Sequence, residues 1–496
     1  APATNGVAAS PNTTSATPRA PVEVTGGQAA PQVVAETPLD RVKKLEGTPS
    51  GPMIGIDLGT TYSCAAYVKN GRPFVIPSRE GYNTVPSIVA VSNRNKILIG
   101  HPAKGQMLTN PRQTVYGSKR LVGRPFNSTI VRQIKDRFAY EIIEGPRGES
   151  AVRLGGRAFS LQELSAMVLC EVKDIAQNHL GQPVERAIIT VPAYYNEAQR
   201  QAVREAGALA GLHVERILNE PTAAALAFGY GRELQKRILI YDLGGGTFDA
   251  SLLELNGHIY EVISTGGDTF LGGVDFDMQI VDHLLLEFQA STGKVFQGDR
   301  VALQRLIDAA ERAKIALSEA ESTQVRVPFL TIVDGKPYDL DVTLTRQTVI
   351  DLCRGLVERT LQVCDEVLKA RNLTPADVDE IIPVGGMSRM PLVRDLIEQF
   401  FKKPPHKGVH PDEAVALGAA LLAHSLEQVS GVVLIDVLPM SIGIGLPGGR
   451  FKKVIERNTP LPHSKTYGLA TFRDDQRELE LTVFQGDGDR VEQNEL

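Results

Sequence analysis

The chain has 496 residues, far more than one ordinary domain, so two or more folding units are predicted. A formal charge of -5 with ordinary composition argues against nucleic acid or a membrane surface as a partner, and no apolar run is long enough to cross a bilayer. The four cysteines are scattered without paired metal spacing, and a chain of this size does not need disulfide staples, so a cytoplasmic protein is expected.

The first part of the chain has the composition of a tail. Residues 1–50 are rich in Ala, Pro, Thr and Gly and poor in large apolar side chains. Such a segment cannot bury enough surface to offset the entropy cost of ordering, so it is predicted to be disordered. The chain begins with Ala rather than Met, which we interpret as processing or a fragment.

An acidic hairpin follows the tail. Residues 54–76 read IGIDLGTTYSCAAYVKNGRPFVI. Asp57 stands at the end of an apolar strand, a glycine and two threonines come next, and a second strand runs to an Asn-Gly pair. This order predicts two strands joined by a glycine turn, with a tight hairpin at Asn70 and Gly71.

Helix and strand signals then alternate. Ser160 and Glu163 form a capping-box pattern, which predicts a helix that ends at Gly181. The run ERAIITVPAY predicts a strand, and Asn196 and Gly211 mark the two ends of the helix after it. This alternation favours a layered α/β architecture.

The acidic hairpin then recurs in residues 237–263, which read RILIYDLGGGTFDASLLELNGHIYEVI. Asp242 takes the place of Asp57, three glycines and Thr247 follow, and an Asn-Gly pair at Asn256 closes the second hairpin. The two acids are about 185 residues apart in the chain. We interpret the pattern as an internal duplication.

The remaining signals complete the α/β region and then change. Asp299 is predicted to cap a long helix, and the run DEIIPVGGMSRMPLVRDLIEQFF indicates a strand, a glycine turn and a helix. A last helix is predicted over PDEAVALGAALLAHSL. After about Ser430 the pattern becomes β-type alternation with Pro and Gly breaks, which predicts a separate all-β unit.

The two acidic turns have residue types that suit phosphate and metal binding. Glycines let phosphate oxygens approach backbone N–H groups, and threonine hydroxyls add donors. Asp57 and Asp242 supply the few carboxylates that a hydrated Mg²⁺ prefers. Two facing copies would hold the phosphate tail of a nucleotide from both sides. The alternative is that both are ordinary Asp-Gly turns without a ligand.

The chain contains six extended motifs: IGIDLGTTYSC, ERAIITVPAYYNEAQRQA, NEPTAAALA, YDLGGGTFD, VGGMSRMP and HPDEAVALGAA. In order and spacing they resemble the DnaK-type chaperones, the seventy-kilodalton heat-shock protein family, over about residues 53–485. The resemblance implies an α/β fold, a duplicated actin-like ATPase domain of the ribonuclease H-like class, with lobes at 53–236 and 237–429. A hydrophobic linker, 430–437, and an incomplete all-β peptide-binding sandwich, 438–496, would follow.

The resemblance assigns roles to individual residues of the ATPase domain. The catalytic residues that it implies are Lys119, Glu220, Thr247 and Asp249, and the Mg²⁺ ligands are Asp57 and Asp242. The contacts that it implies for ATP or ADP are Gly59, Thr60, Thr61, Tyr62, Gly244, Gly245, Gly246, Glu311, Lys314, Ser318, Gly385, Gly386, Ser388, Arg389 and Asp412. Tyr62 also matches a position near a K⁺ site.

The same residues have plainer interpretations when the pattern is considered by itself. Lys119 in a Ser-Lys-Arg run is typical of a solvated surface, and Tyr62 is typical of a strand. Glu311, Lys314 and Ser318 are spaced i, i+3 and i+7, which places them on one face of the long helix. Such a face is most often a solvated stripe.

The resemblance also implies a route from nucleotide to peptide. The coupling residues that it implies are Pro192, Tyr194, Arg200, Arg216, Val433, Leu434 and Asp436, with Arg216 facing a J-domain cochaperone. The apolar peptide pocket that it implies consists of Ile444, Tyr467, Leu479 and Leu481. The sequence departs from the family at Phe270, Val274 and Pro447, which leaves nucleotide exchange and closure over peptide open.

The function that the resemblance implies is an ATP-dependent chaperone, which hydrolyses ATP to control binding and release of unfolded hydrophobic peptides. Its implied partners are unfolded polypeptides, a J-domain cochaperone and a nucleotide exchange factor. Two alternatives in the same superfamily stay open, a sugar-type small-molecule kinase and an actin-like filament protein. Because the sequence stops at Leu496, partway through the predicted sandwich, this β unit is expected to bind peptide poorly by itself.

Overall fold

A computed structural model of the chain describes residues 36–495 apart from 43–44, 46, 409, 429–430, 469–476 and 479–480. These residues form a mixed α/β structure with several sheets. We use lobe I for residues 53–236 and lobe II for residues 237–429. In the described part of the chain, no helix is long and apolar enough to cross a membrane.

A short segment that precedes lobe I folds onto it. Thr37 and Asp40 form a capping box at the start of a 3-10 helix, Pro38–Arg41. Leu39 and Val42 pack against the core of lobe I. Most of the predicted tail lies outside the described residues, so the difference from the prediction concerns only this last part.

Lobe I contains strands β1 (Met53–Asp57), β2 (Tyr62–Lys69), β3 (Arg72–Val75), β4 (Val85–Pro86), β5 (Val89–Val91), β6 (Ile97–Ile99), β7 (Thr114–Val115), β8 (Glu141–Glu144), β9 (Ser150–Leu154), β10 (Arg157–Ser160), β11 (Arg186–Val191) and β12 (His213–Asn219). Its helices are α1 (His101–Gly105), α2 (Thr129–Ile134), α3 (Leu161–Leu180), α4 (Glu197–Leu209) and α5 (Glu220–Gly229). The main sheet has the order β12-β11-β1-β2-β3.

The first strand of lobe II is β13 (Gln235–Leu243), which begins in the last two residues of lobe I. The other strands of lobe II are β14 (Phe248–Asn256), β15 (Ile259–Asp268), β16 (Ser322–Val333), β17 (Lys336–Thr345) and β18 (Glu380–Val384). Its helices are α6 (Gly273–Thr292), α7 (Arg300–Ala316), α8 (Arg346–Lys369), α9 (Pro391–Phe401) and α10 (Ala414–Leu426). The main sheet begins with the order β18-β13-β14-β15, and β16 pairs with β17 in a separate hairpin.

The two main sheets share one topology. In each sheet a central strand, β1 or β13, is parallel to one neighbour and antiparallel to the next strand in the chain. The first hairpin turns at Asn70 and Gly71, which both have positive φ, as predicted. In the second hairpin Asn256 pairs with Ile259, so the turn falls one residue later than predicted. The duplication is therefore visible in strand pairing.

Three helices begin at the capping residues that the sequence predicted. The side chains of Ser160, Asn196 and Asp299 accept hydrogen bonds from the first turns of α3, α4 and α7, as predicted. The end of α7 differs, because the helix stops at Ala316 and Ser318 lies in the turn beyond it. Ser318 is therefore not on the helical face that the spacing predicted.

Each lobe packs one of its helices against the sheet of the other lobe. Helix α5 of lobe I packs on the lobe II sheet, and α10 at the end of lobe II packs on β1 and β2. A Cβ on Gly418 of α10 would lie 1.7 Å from the Ala223 carbonyl oxygen of α5, and one on Gly55 would lie 2.2 Å from the Ala420 nitrogen. These glycines therefore set how closely the lobes approach.

The predicted linker forms a strand of the lobe II sheet. Strand β19 (Val433–Val437) runs parallel to β15, with Val433 opposite Ile259. The strands that follow are β20 (Ile442–Leu446), β21 (Arg450–Ile455), β22 (Pro460–Leu461) and β23 (Val483–Gln485). Strand β22 extends the same sheet beyond β19, and β20 lies between β21 and β23 in a small antiparallel sheet.

Candidate active site

The two glycine turns of the duplicated sheets touch each other. A Cβ on Gly245 would lie 2.0 Å from Thr61 Oγ1, and one on Gly246 would lie 2.7 Å from Thr60 Cγ2. Gly59 is equally confined, since its Cβ would lie 2.0 Å from the Tyr62 carbonyl oxygen. The turns therefore meet face to face, and glycine is required where they meet.

A lysine and four acids gather beside these turns. Lys119 Nζ is 2.7 Å from Glu220 Oε1, and the two side chains are 8% and 10% exposed. Asp242 and Asp249 are buried, and Asp57 is half-buried at the end of β1. Lys119 is thus not on the solvated surface that its Ser-Lys-Arg run would favour.

The aspartates of this cluster have raised pKa values. Burial, and next the nearby Glu220 carboxylate, raise the pKa of Asp57 to about 7 and that of Asp249 to about 7. The same two causes raise the pKa of Asp242 well above its usual range, with Asp249 and Asp57 contributing further. The acids therefore lie close enough to repel one another, and a single lysine does not balance them.

The donor set suits a hydrated Mg²⁺. Among the described residues, no three His, Cys, Asp or Glu side chains converge tightly enough to hold a metal ion alone. Mg²⁺ usually keeps several waters and uses one or two carboxylates together with substrate phosphates. Asp57 and Asp242 meet that requirement, and a divalent cation between them would reduce the repulsion among the acids.

Backbone and hydroxyl donors hold the acids in position. Thr190 Oγ1 donates to Asp57 Oδ1 at 3.3 Å, and the Tyr194 N–H donates to Asp249 Oδ1 at 3.1 Å. Thr247 is buried, and its carbonyl oxygen accepts from the Gly244 N–H at 3.0 Å. This last bond closes the second glycine turn.

Arg120 joins the two lobes beside the turns, although sequence reasoning missed it. Its Nε and Nη2 donate to the Gly246 carbonyl oxygen at 3.0 and 2.7 Å, and Nη2 is 2.5 Å from Asp275 Oδ2. Because Arg120 belongs to lobe I and both partners to lobe II, it holds the second glycine turn against the first lobe. The one available signal was its place directly after Lys119.

The lysine implied as an adenosine contact, Lys314, extends from α7 to the start of α6. Lys314 Nζ is 2.8 Å from Asp277 Oδ1 and donates to the Gly273 carbonyl oxygen at 3.3 Å. A Cβ on Gly273 would lie 3.2 Å from Met387 Sδ, so the GGMSR turn lies against the same spot. Asp277 was not singled out from sequence, although it stands in the run GGVDFD.

The GGMSR turn itself is tightly held. Gly385 has a φ of +79°, a conformation that glycine adopts without strain. The Ser388 hydroxyl donates to the Gly385 carbonyl oxygen at 2.7 Å, and Arg389 Nη2 is 2.5 Å from Asp412 Oδ2. A Cβ on Gly386 would lie 3.4 Å from Asp412 Oδ1. The structure thus brings five implied nucleotide contacts together, four in the GGMSR turn and Asp412 outside it.

The remaining implied nucleotide contacts are less enclosed. Tyr62 is 38% exposed, and its hydroxyl accepts from Lys104 Nζ at 2.6 Å. Glu311 is half-buried on α7. The Ser318 hydroxyl donates to the Lys314 carbonyl oxygen at 3.3 Å, which keeps it near that lysine although it lies beyond the helix.

The linker strand reaches the acid cluster through Asn219. Asp436 Oδ2 accepts from Asn219 Nδ2 at 2.7 Å and from Thr222 Oγ1 at 3.5 Å, and Asn219 directly precedes Glu220. Burial raises the pKa of Asp436, while the Arg200 guanidinium favours its charged form. Sequence reasoning missed Asn219 and Thr222 as partners of the linker, although both lie in NEPTAAALA.

The other implied coupling residues differ in exposure. Pro192 is buried, and Tyr194 is half-buried beside Asp249. Arg216 is exposed on β12, and Val433 is 43% exposed, whereas Leu434 packs against the core between the lobes. Of these implied coupling residues, Arg216 and Val433 therefore lie at the surface, whereas Leu434 packs between the lobes.

The β unit contacts both lobes. The buried Arg124 of lobe I pairs with Glu495 at 3.0 Å, and the Thr265 N–H of lobe II donates to Asn458 Oδ1 at 3.0 Å. Phe270, one of the departures from the family, lies with its ring centroid 5.0 Å from the Arg124 guanidinium and 5.8 Å from that of Arg120. Phe270 thus packs from lobe II against lobe I.

The implied peptide pocket is only partly enclosed. Ile444 is buried, whereas Tyr467 and Leu481 are 43% and 47% exposed. Leu479 lies outside the described residues. Of the three that are described, two are therefore largely exposed to solvent.

A comparison with protein families bears on the whole site. A family model described as Hsp70 protein matches residues 53–496. The matched region contains both glycine turns, the lysine and acid cluster, the GGMSR turn and the linker strand.

Proposed function

Because the chain belongs to the Hsp70 family, whose members are ATPases with a chaperone role, we propose that it hydrolyses ATP to ADP and phosphate to control its grip on unfolded hydrophobic peptides. The two lobes would form the duplicated actin-like ATPase fold. The observation that carries the proposal is the contact of two glycine turns, one from each sheet, beside a buried lysine and acid cluster.

The chain's own residues can position the reacting groups. Phosphoryl transfer needs little covalent help, so positioning and charge stabilisation are sufficient roles. Burial opposes the charge on Lys119, but the Glu220 carboxylate raises the pKa of Lys119, so its ammonium group stays charged to place the γ-phosphate. Asp249, with a pKa of about 7, and Thr247 would orient the attacking water, and Asp249 can accept its proton.

The remaining groups would bind the nucleotide. Asp57 and Asp242 would hold the Mg²⁺, which when bound neutralises phosphate charge. The glycine turns would donate backbone N–H groups to phosphate oxygens. Lys314 and Arg389 would contact the base and ribose, and Tyr62 would border a K⁺ site.

Coupling to peptide would run through the linker strand. Asp436 bonds to Asn219, which adjoins Glu220, so a change at the phosphate end of the cleft can alter how the linker strand is held. The exposed Arg216 would meet a J-domain cochaperone, and a nucleotide exchange factor would act on the lobes. Ile444 would contribute to the peptide pocket.

The proposal is tested with Lys119→Ala. This variant should bind ATP, because the glycine turns and acids remain, but its single-turnover hydrolysis should fall at least 100-fold, since the γ-phosphate loses its charged partner. Lys69→Ala removes an exposed lysine of the same lobe and should hydrolyse ATP at the wild-type rate. Undiminished hydrolysis by Lys119→Ala would remove this lysine from the mechanism.

The choice of acceptor separates this function from its alternatives. Turnover that unfolded peptide stimulates supports a chaperone, whereas turnover that requires a small-molecule acceptor supports a kinase. ATP-dependent sedimentation would support a filament protein. The pairing of β19 with the lobe II sheet favours the chaperone, because it connects the β unit directly to the ATPase region.

A further inference from the structure

A hydrogen bond between the lobes links the loop of Lys119 to helix α7. The Tyr116 hydroxyl of lobe I donates to Gln304 Oε1 of lobe II at 2.6 Å. Tyr116 stands three residues before Lys119, and Gln304 stands seven residues before Glu311. Because seven residues make about two helical turns, Gln304 and Glu311 share one face of α7.

This bond is part-buried, and neighbouring aromatic residues hold its donor in place. Gln304 is 1% exposed and uses its Oε1 for this bond, while its Nε2 has no hydrogen-bond partner in the described part of the chain. The Tyr116 ring lies edge-on to Phe138 and Tyr140, at centroid distances of 5.5 and 5.7 Å, and the Tyr140 hydroxyl donates to the Tyr116 carbonyl oxygen at 2.7 Å. Burial, and next the Glu311 carboxylate, raise the pKa of Tyr116, so its hydroxyl keeps the proton that it donates.

Two ion pairs that join the lobes nearby are exposed. Arg112 and Asp299 are 3.6 Å apart and 65% and 58% exposed, and Arg300 and Asp136 are 3.4 Å apart and 46% and 75% exposed. Exposed pairs of this kind contribute little to stability. The neutral Tyr116–Gln304 bond is part-buried, and separating its partners leaves the oxygen of the buried Gln304 side chain without its protein donor.

We propose that Tyr116 is a positioning residue. Through Gln304, its hydroxyl holds α7 and the nucleotide contacts on α7 in a fixed position relative to Lys119. Nucleotide release then requires the hydrogen bond between Tyr116 and Gln304 to break. The inference rests on the proposed function, because it places a nucleotide between the lobes. The hydrogen bond connects the loop that contains Lys119 to α7, the helix that contains Glu311.

The direct test is Tyr116→Phe, which removes the hydroxyl and keeps the ring. We expect ADP to dissociate about tenfold faster, and single-turnover hydrolysis to slow a few-fold, because the closed register is lost while the catalytic groups remain. Dissociation is followed by stopped-flow release of a fluorescent ADP analogue. Wild-type dissociation and hydrolysis rates in this variant would overturn the inference.

Two further variants separate positioning from stability. Tyr140→Phe removes a hydroxyl from the same aromatic cluster but within lobe I, so it should lower Tm without changing ADP dissociation by more than about twofold. In the Gln304→Leu background, adding Tyr116→Phe should change ADP dissociation no further, since the two residues act as one unit. Additive effects of the two substitutions would contradict the proposed partnership.

A readout without nucleotide keeps this inference separate from the proposed function. The four native cysteines are buried, so spin labels can be directed to Arg147→Cys in lobe I and Asp334→Cys in lobe II. Tyr116→Phe should broaden the distance distribution between the labels, and an unchanged distribution would overturn the inference. If the wild-type protein binds no ADP, the proposed function fails, whereas the label experiment still decides the role of Tyr116 in lobe register.

Discussion

The contact between the glycine turns allows one sharp prediction at Gly245. A Cβ at this position would lie 2.0 Å from Thr61 Oγ1, whereas non-bonded heavy atoms prefer about 3.5 Å. Gly245→Ala must therefore push the two turns apart by about 1.5 Å or rotate Thr61 away from its present position. Either response disturbs the place where the lobes meet.

The magnitude follows from the cost of overpacking. Inserting a methyl group into a closely packed contact costs about 1–3 kcal/mol. If about 2 kcal/mol is lost from the closed, nucleotide-binding form, the Kd for MgATP should rise about 30-fold. Titration calorimetry with MgATP measures this change directly, and a thermal melt should show Tm lowered by about 2–4 °C.

Paired variants show whether the contact itself is responsible. Thr61→Ala removes the atom that would clash, so Gly245→Ala combined with Thr61→Ala should recover Tm, although the lost hydroxyl keeps binding weak. Gly355→Ala, in a helix where a Cβ meets nothing within 4 Å, should leave both Kd and Tm near wild type or raise Tm slightly. MgATP binding by Gly245→Ala within threefold of wild type would refute the close meeting of the turns.

Three other predictions concern the linker, the lobe contact and the metal. Asp436→Ala loses the contact to Asn219, so it should abolish stimulation of ATP turnover by unfolded peptide. Its unstimulated turnover should stay within about threefold of wild type. Equal stimulation of the variant and the wild type would contradict coupling through Asp436. Arg120→Met should lower the free energy of unfolding by about 3 kcal/mol in urea titrations, since Asp275 and the Gly246 carbonyl oxygen lose the Arg120 donor. A change below about 0.5 kcal/mol would contradict a stabilising role for Arg120 between the lobes. Removing Mg²⁺ with EDTA should weaken ATP binding about 100-fold by calorimetry, because the acids then face the phosphates directly. Unchanged affinity would show that the acids do not act through a bound metal ion.

Local features of the fold could be predicted from the sequence. Helix starts at Ser160, Asn196 and Asp299 were correct because a cap is a hydrogen bond between residues three or fewer apart. The duplication was visible because each copy repeats the same short order of strand, acid and glycines. The first hairpin turn was correct and the second was wrong by one residue, since an Asn-Gly pair alone does not decide which two residues form the turn.

Contacts between distant segments needed the tertiary structure. Arg120 bonds to Gly246, 126 residues away, and Asp436 bonds to Asn219, 217 residues away, so no local pattern marks either pair. The pairing of Tyr116 with Gln304 has the same character. Burial also decided the status of Lys119, whose neighbours in the chain suggest a solvated surface.

The sequence by itself determined the acids, the glycine turns, the caps and the family likeness. Only the tertiary structure decided that α5 and α10 exchange lobes, that Gly245 meets Thr61, and that the linker forms a strand beside β15. The physical reason is that caps and turns depend on hydrogen bonds along a few residues, whereas lobe contacts depend on how whole sheets pack. That packing sums many weak contacts that no short stretch of chain contains.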